Sequence, residues 1–375
     1  MKIAEIVSTF PPVLGGMGSV CFHNARELAR RGHDVTVFTI QYQHRVFPDD
    51  PPGLKVVRLG SPLIYGAGGF FPQLYTRLAG FDFIHLHYPF FGAAEYVYLA
   101  SLIRKQKYFL SYHCDAFGDS GPRRAIIRLY EHLLLRKILN RASGIGAVSM
   151  AHFSSSRASS LVHREKVVEI PNGVDAELFC PREKDRALVE RYGLQDKMVV
   201  LFVGRLQDCK GIDVLIDALS LLRNDKIVLL VVGGGYSDER YREEAITRGV
   251  QDRVFFVGPV SHEEELPRYY NVCDLLVLPS TYMESFSLVV LEAMASAKPV
   301  VVSSLPGPSQ LVSDGTDGLI SRAGDSRDLC SKIEQLCDSP DKRRRMGSAG
   351  REKVLRRYDW SGIGKQLEDI FTASR

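Results

Sequence analysis

The chain has 375 residues, which is long for a single hydrophobic core and predicts two domains. Hydrophobic residues make up 45% and charged residues 25%, so the disordered and fibrous classes are excluded. Residues 1–176 hold 20 Lys and Arg against 13 Asp and Glu. This excess fits either an anionic partner, such as a membrane surface or a phosphorylated acceptor, or an ordinary solvated surface.

The seven cysteines are an odd number, are widely scattered and include no C-x-x-C pair. They argue against a disulfide framework and a thiolate zinc site, and a reducing cytoplasm is the expected setting. No run approaches the roughly 18 apolar residues of a spanning helix. We therefore expect a cytoplasmic protein, with peripheral contact at the inner face of the membrane left open.

The elements of the first half alternate between strands and helices. Strand Lys2–Val7 leads through a glycine loop into helix Val20–Arg30, and strand Val35–Ile40 follows. Such β-α-β units build parallel sheets with right-handed crossovers. Further strands are expected at Phe83–His87, Tyr108–Tyr112, Gly144–Val148 and Val167–Ile170.

The same alternation begins again after Pro181. Helix Ile212–Leu222 has its apolar residues on one face, and Ser261 with Glu264 predicts a capped helix start. The expected strands are Met198–Val203, Ile227–Val232, Val254–Val257, Leu275–Leu278 and Pro299–Ser303. Two further helices are expected at Leu288–Ala295 and Trp360–Ala373. We predict doubly wound domains over 1–176 and 177–357, with 358–375 packing back on the first.

Two segments of the second half combine charge with a strand-to-helix loop. Arg205 and Lys210 lie in GRLQDCKG, before a helix whose free amides attract phosphate. Glu284 and Glu292 lie in ESFSLVVLE, where one carboxylate could hold sugar hydroxyls and the other ribose hydroxyls. Each residue alone is as well explained by a solvated surface. Free amides at Ser285, Phe286 and Ser287 would face a sugar or phosphate.

Taken in order, the motifs resemble one family. FPPVLGGMGSV, IPNGVD, GRLQDCKG, VVGGG, FVGPV and ESFSLVVLEAMASAKPVV follow one another along nearly the whole chain. This ordered set resembles the retaining GT-B glycosyltransferases of the glycosyl transferases group 1 family (family 4). The resemblance implies an α/β fold of two Rossmann-like domains facing across a cleft, with donor on the second domain and acceptor on the first.

The resemblance also implies roles for single residues. Arg205 and Lys210 would hold the donor diphosphate, Glu292 the ribose, and Glu284 and His113 the transferred sugar. The remaining implied donor-binding positions are Gly15, Gly16, Gly204, Val260, Ser285, Phe286, Ser287 and Leu288. Gly18 and Asp115 are candidates on the acceptor side, although Asp115 could equally cap a loop. Ser287 departs from the glycine usual there and predicts a narrower sugar pocket.

No aspartates occur at D-x-D spacing, so the usual ligand pattern for a metal-bound diphosphate is missing. We expect catalysis without a metal or other cofactor, by positive charge placed where the leaving group becomes negative. The resemblance implies transfer of a hexosyl group from a nucleotide sugar to a saccharide or lipid-linked acceptor, with retention. The sequence indicates neither the donor nucleotide nor the acceptor, and no nucleic-acid partner is expected.

Other functions on this scaffold stay open to different degrees. A dehydrogenase needs an acidic residue near the end of the second strand to hold the adenine ribose. The sequence there reads Thr39-Ile40-Gln41 and holds none, which argues against a dehydrogenase. A nucleotide-sugar epimerase, a pyridoxal-phosphate phosphorylase or a non-catalytic binding module remain as alternatives. Residues 123–141 carry six basic residues against Glu131, and a buried helix with charged ends is favoured there over docking on a membrane.

Overall fold

The computed structural model describes residues 1–12, 15–42, 51, 53–65, 68–116, 121–235, 237–282 and 284–374, without the side chains of residues 122 and 123. Residues 13 and 14 of the N-terminal glycine loop and the side chain of Arg123 therefore lie outside the description. The chain forms two compact units. Unit 1 comprises Met1–Asn172 with Trp360–Arg375, and unit 2 comprises Gly173–Asp359.

Unit 1 contains a sheet of parallel strands in the order β3-β2-β1-β6-β7-β8-β9. Its strands are β1 (Lys2–Ile6), β2 (Asp34–Ile40), β3 (Lys55–Leu59), β6 (Phe83–Tyr88), β7 (Tyr108–Tyr112), β8 (Gly144–Ala147) and β9 (Val167–Glu169), with the antiparallel pair β4 (Ile64–Tyr65) and β5 (Gly68–Gly69) apart from it. Its helices are α1 (Gly16–Arg30), α2 (Pro72–Arg77), α3 (Ala94–Ile103), α4 (Gly121–Tyr130), α5 (Arg136–Arg141) and α6 (Met150–Ser155), with a π-helical turn at Glu131–Leu135. Most strands of this sheet are nearly continuous runs of buried, mainly apolar residues, as expected for a parallel sheet that is covered on both faces.

Unit 2 repeats the arrangement with the strand order β12-β11-β10-β13-β14-β15, again parallel. The strands are β10 (Met198–Val203), β11 (Ile227–Val232), β12 (Val254–Gly258), β13 (Leu275–Leu278), β14 (Val300–Ser303) and β15 (Gly318–Ser321). The helices are α7 (Arg186–Arg191), α8 (Ile212–Leu221), α9 (Asp238–Thr247), α10 (Leu266–Val272), α11 (Leu288–Ala295), α12 (Pro306–Ser309), α13 (Ser326–Cys337) and α14 (Pro340–Arg357).

The last helix, α15 (Trp360–Ala373), returns to unit 1. Phe371 stacks on Phe83 with ring centroids 4.7 Å apart and also meets Phe109. Gly364 lies so close to Glu27 of α1 that an added Cβ would stand 2.6 Å from the Glu27 Cβ. The units divide at 172/173 and 359/360, a few residues from the predicted boundaries at 176/177 and 357/358.

Two local expectations differ from the structure. Ser261 does accept from the Glu264 amide at 3.3 Å, but Glu265, and not Glu264, returns the bond to the Ser261 amide at 2.9 Å. The helix itself starts only at Leu266, because a turn occupies the residues between. The edge strands β3 and β15 were not predicted. Among the described residues, no helix combines the length and apolarity needed to cross a bilayer.

Candidate active site

The strand order of unit 2 reverses between β10 and β13, which lie side by side. Loops leaving such neighbours run in opposite directions, and the crevice between them is where open α/β sheets bind ligands. The loop after β10 carries Arg205 and Lys210, and the loop after β13 carries Glu284. The strongest motifs of the sequence therefore meet at one topological switch point.

Lys210 and Glu284 form an ion pair there, with Nζ 2.6 Å from Oε2. Ser280 donates to the same carboxylate oxygen at 2.9 Å. A lysine ammonium has three donors and a carboxylate two oxygens. Two ammonium donors and the Oε1 atom of Glu284 thus have no partner among the described residues, and the pair can bind a ligand without separating.

Arg205 is exposed, and its guanidinium makes no hydrogen bond or ion pair with a described residue. The turn between it and α8 depends on Gly211, which has φ +66° at the start of that helix. An added Cβ there would stand 2.2 Å from the carbonyl oxygen of Pro279. Because this close approach joins the two loops of the switch point, Gly211 holds Lys210 within reach of Glu284.

Glu292 lies one turn into α11, and its side chain is only 5% exposed. Tyr270 donates to Oε2 at 2.6 Å, and the His262 ring lies 3.0 Å from Oε1. Burial lowers the pKa of His262, but the hydrogen bond and charge of Glu292 outweigh it and raise the pKa overall. Sequence reasoning missed both partners, which fix the Glu292 carboxylate before any ligand binds.

The other predicted donor-binding residues of unit 2 follow the carboxyl ends of β10, β12 and β13. Phe286 and Ser287 are buried, and Phe286 packs edge-on against Tyr358. Ser287 precedes α11 and makes no side-chain cap, so it leaves the first amides of that helix available to a ligand. The other four lie in loops or the first turn and are at most half-buried: Gly204, Val260, Ser285 and Leu288.

In unit 1 the glycines of the N-terminal loop have different surroundings. Gly15 and Gly16 are exposed at the start of α1, and a Cβ at Gly16 would meet no described atom within 4 Å. A Cβ at Gly18 would stand 2.6 Å from the Thr9 carbonyl oxygen. The buried Gly18 therefore allows α1 to pack closely against the preceding loop. This packing alone explains why a glycine stands at position 18, and the predicted contact with the acceptor is not needed for it.

His113 and Asp115 follow β7. His113 is 8% exposed, and its Nε2 lies 2.9 Å from Nδ1 of His87. Asp115 accepts from the Tyr112 hydroxyl and from the Arg157 amide. Each Asp115 oxygen therefore accepts a hydrogen bond within the protein. These bonds fit the alternative interpretation, in which Asp115 caps a loop.

A buried polar cluster within unit 1 was missed entirely. Glu5 of β1 lies opposite His85 of β6, and His87 is two residues further along the same face. All three are 0% exposed and are residue types that could hold a metal ion, with N···O distances of 2.8–2.9 Å that are those of hydrogen bonds. The signal was in the sequence, as a glutamate and an H-x-H pair within apolar strands.

The two doubly wound units define the GT-B architecture. Comparison with known proteins agrees: residues 185–353 match "Glycosyl transferases group 1" and residues 14–178 match "Glycosyltransferase Family 4". D-inositol 3-phosphate glycosyltransferase of Stackebrandtia nassauensis is 30% identical over 94% of this chain and 85% of its own. A GDP-mannose-dependent alpha-(1-6)-phosphatidylinositol monomannoside mannosyltransferase of Mycolicibacterium smegmatis is 28% identical over 99% and 98%.

Among solved structures, Anabaena HepE in complex with UDP superposes with a TM-score of 0.80 over 100% of both chains at 22% identity. Sucrose-phosphate synthase of Thermosynechococcus elongatus gives 0.81 over 100% of this chain and 98% of its own at 24% identity. These two support the fold. The chain belongs to the glycosyl transferases group 1 family and is a glycosyltransferase.

Proposed function

We propose that this glycosyltransferase moves a hexosyl group from a nucleoside diphosphate sugar to a hydroxyl of a saccharide or lipid-linked acceptor, with retention. The observation that carries the proposal is the Lys210–Glu284 pair, at 2.6 Å, with the exposed Arg205 on the same loop as Lys210. It combines cations for a diphosphate with a carboxylate oxygen free for sugar hydroxyls. The relatives named for GDP-mannose and inositol phosphate support this substrate class.

In this reaction the bond from the anomeric carbon to the leaving phosphate breaks, and a bond to the acceptor oxygen forms on the same face. The acceptor proton passes to a phosphate oxygen. Arg205 and the spare donors of Lys210 stabilise the charge that develops on the diphosphate. We propose that these fixed cations make a metal unnecessary, and that no other cofactor takes part.

The carboxylates have separate roles in this proposal. Oε1 of Glu284 accepts from hydroxyls of the transferred sugar, and Glu292, fixed by Tyr270 and His262, accepts from the ribose. His113 contacts the transferred sugar. Gly15, Gly16, Gly204, Val260 and the amides of Ser285, Phe286, Ser287 and Leu288 allow close backbone approach to the donor.

Calorimetric titration with nucleotide sugars tests the donor class, beginning with GDP-mannose, UDP-glucose and ADP-glucose. We expect one of them to bind and the corresponding nucleoside diphosphate to compete. Proton NMR of the product then reports the anomeric configuration, which should equal that of the donor. A product of inverted configuration would refute retention, and failure of every nucleotide sugar to bind would refute the donor class.

We also propose that unit 1 contacts an anionic membrane through α4 and the π-helical turn that follows it. The expectation of a buried helix is wrong for this part: Ile126, Leu129 and Leu133 are 67%, 58% and 51% exposed. They are spaced three and four residues apart, so they share one face, and Arg128 and Lys137 are exposed nearby. Glu131 is buried on the other side of this segment, and the first buried apolar residues are Leu135, Ile138 and Leu139. Apolar residues flanked by basic ones are typical of helices that lie in a membrane interface.

Co-sedimentation with phosphatidylglycerol vesicles at low salt tests this contact. We expect the wild type to bind and a triple Ile126→Ser, Leu129→Ser, Leu133→Ser variant to remain in solution. The matched control removes three exposed apolar side chains of unit 2, by Leu221→Ser, Ile246→Ser and Leu355→Ser, and should bind like the wild type. Absence of wild-type binding at low salt would exclude the contact.

A further inference from the structure

The buried cluster of unit 1 forms one continuous hydrogen-bonded chain that ends at His113. Ser111 lies 2.8 Å from Nε2 of His85, and Nδ1 of His85 contacts Glu5. Oε2 of Glu5 lies 2.8 Å from that same His85 nitrogen and 2.9 Å from Nε2 of His87. Nδ1 of His87 lies 2.9 Å from Nε2 of His113. Every step but the last joins neighbouring strands, and the last runs from β6 to the residue directly after β7, whose amide donates to the Tyr88 carbonyl of β6, so the sheet sets these distances.

The chain determines which nitrogen carries each proton. Burial raises the pKa of Glu5, but the charge of His85 and the hydrogen bonds of His85 and His87 lower it overall to about 2, so Glu5 is an ionised acceptor. Nε2 of His87 must then donate to it. Burial and the charge of His85 lower the pKa of His87 to about 4 despite Glu5, so His87 is neutral near pH 7. Its Nδ1 therefore has only a lone pair.

The consequence reaches His113 at the carboxyl end of β7. Because Nδ1 of His87 can only accept, Nε2 of His113 must be the donor of the 2.9 Å bond. Burial is the main cause that lowers the pKa of His113 well below its usual value, and repulsion from His87 and His85 in their protonated forms adds to it, so the ring is neutral. Nδ1 of His113 is then unprotonated, and it has no partner among the described residues.

The titratable groups around His113 come from four places. Glu5, His85 and His87 approach from β1 and β6, while Cys114 and Asp115 follow it in its own loop. The Asp115 carboxylate is already used by Tyr112 and Arg157. From the helices that cover this face, Cys21 of α1 lies 3.9 Å from Glu5, and the nonpolar Phe371 of α15 packs on His85. None of these offers a second acceptor to Nε2 of His113.

We propose that Glu5 and His87 are positioning residues that hold His113 as its Nε2-protonated neutral tautomer, so that Nδ1 accepts a hydrogen bond from a hydroxyl of the transferred sugar. This inference rests on the proposed contact of His113 with that sugar. The proposal accounts for three polar residues, Glu5, His85 and His87, that are 0% exposed and are not themselves proposed to contact a ligand. In the opposite tautomer, Nδ1 would present a proton and would favour an acceptor in place of a hydroxyl hydrogen.

The tautomer can be measured without substrate. Nitrogen-15 NMR of histidine-labelled enzyme at pH 7.5 distinguishes protonated from unprotonated ring nitrogens, with His113→Gln used to assign the signals. We expect His113 to show a protonated Nε2 and an unprotonated Nδ1, and Glu5→Gln to change this pattern. A wild-type His113 with protonated Nδ1 would overturn the proposal, as would a stoichiometric metal ion found in the purified enzyme by elemental analysis.

Kinetics then test what the tautomer does. Glu5→Gln and His87→Leu should lower kcat about 10- to 100-fold with little change in the nucleotide-sugar KM, because a hydrogen bond to the reacting sugar is lost or reversed. His87→Asn places an amide oxygen where Nδ1 stood and should restore activity to within a few-fold of wild type. Ser111→Ala breaks the chain on the arm away from His113 and should leave kcat unchanged.

The outcomes separate this inference from the proposed function. If His113→Ala retains full activity, the proposed sugar contact is wrong. If His113→Ala is impaired while Glu5→Gln and His87→Leu are folded by circular dichroism and fully active, the positioning role is wrong and the sugar contact stands. Equal impairment of His87→Asn and His87→Leu would also contradict the positioning role, since burial alone would then explain both.

Discussion

The two units share one strand order but use their switch points differently. In unit 2 the charged residues stand on loops beyond β10 and β13, and Arg205 and Lys210 keep donors free for a ligand. In unit 1 the titratable residues lie inside β1 and β6, where Glu5, His85 and His87 are completely buried. Charges on loops can bind a substrate directly, whereas charges inside strands can only set the state of a neighbour.

The largest effect is expected at Lys210. Lys210→Ala removes a counter-charge of the leaving diphosphate and should reduce kcat to the limit of detection, at least the roughly 100- to 1,000-fold typical of a lost transition-state donor. Steady-state transfer assays measure it. Arg223→Ala, an exposed cation beyond the far end of α8, is the control and should remain fully active. Turnover of Lys210→Ala at the wild-type rate would remove Lys210 from the mechanism.

The second largest loss is expected from Gly211→Ala, which leaves every charge in place. The new Cβ would meet the Pro279 carbonyl at 2.2 Å and would oppose φ +66°, so the loop must move and take Lys210 from Glu284. We expect more than tenfold lower kcat from the folded fraction. Gly193→Ala, with a similar φ of +58° and open surroundings, isolates the backbone strain. Equal activity of the two variants would contradict the dependence on position.

A smaller effect is expected at Glu292, where structure and binding can be separated. Glu292→Ala leaves Tyr270 and His262 without their acceptor and should lower the free energy of unfolding by about 1–3 kcal/mol. Glu292→Gln keeps the shape and should cost less stability, while raising the donor KM roughly tenfold through the lost charge. Urea denaturation and kinetics measure the two quantities. An unchanged KM in Glu292→Gln would exclude ribose binding.

The pH dependence of stability should have opposite signs in the two units. The pKa of His87 is lowered from 6.5 to about 4, so the unfolded state binds more protons on acidification. Unit 1 should therefore lose about 2 kcal/mol between pH 7 and pH 5. The pKa of His262 is raised, so its pair with Glu292 stabilises unit 2 at low pH and weakens as pH rises through that pKa. Exposure of His262 keeps this second effect small.

Trp360 makes the first sign measurable, since it is the only tryptophan and belongs to unit 1. Its fluorescence in urea should show a lower unfolding midpoint at pH 5 than at pH 7. His87→Asn, which does not titrate in this range, should show a smaller difference between the two pH values. A midpoint independent of pH in the wild type would mean that His87 is not buried in its neutral form.

The sequence was sufficient for the alternation of elements and for the loop motifs, because apolar runs and glycine turns are local features. It could not indicate that His262 and Tyr270 hold Glu292, since 30 and 22 residues separate them from it. The Glu5–His87 contact spans 82 residues and depends on the register of β1 with β6. Exposure of Ile126 and Leu129 was missed because the apolar residues of 123–141 do not form one clean helical face, and their spacing does not indicate which of them the rest of the chain covers.

The most direct test of the account is transfer activity in excess EDTA, with the nucleotide sugar identified by titration. Because Arg205 and Lys210 are proposed to supply the positive charge, the rate should equal that of untreated enzyme and should not rise with added magnesium or manganese. Loss of activity in EDTA and its return with either ion would contradict the central claim.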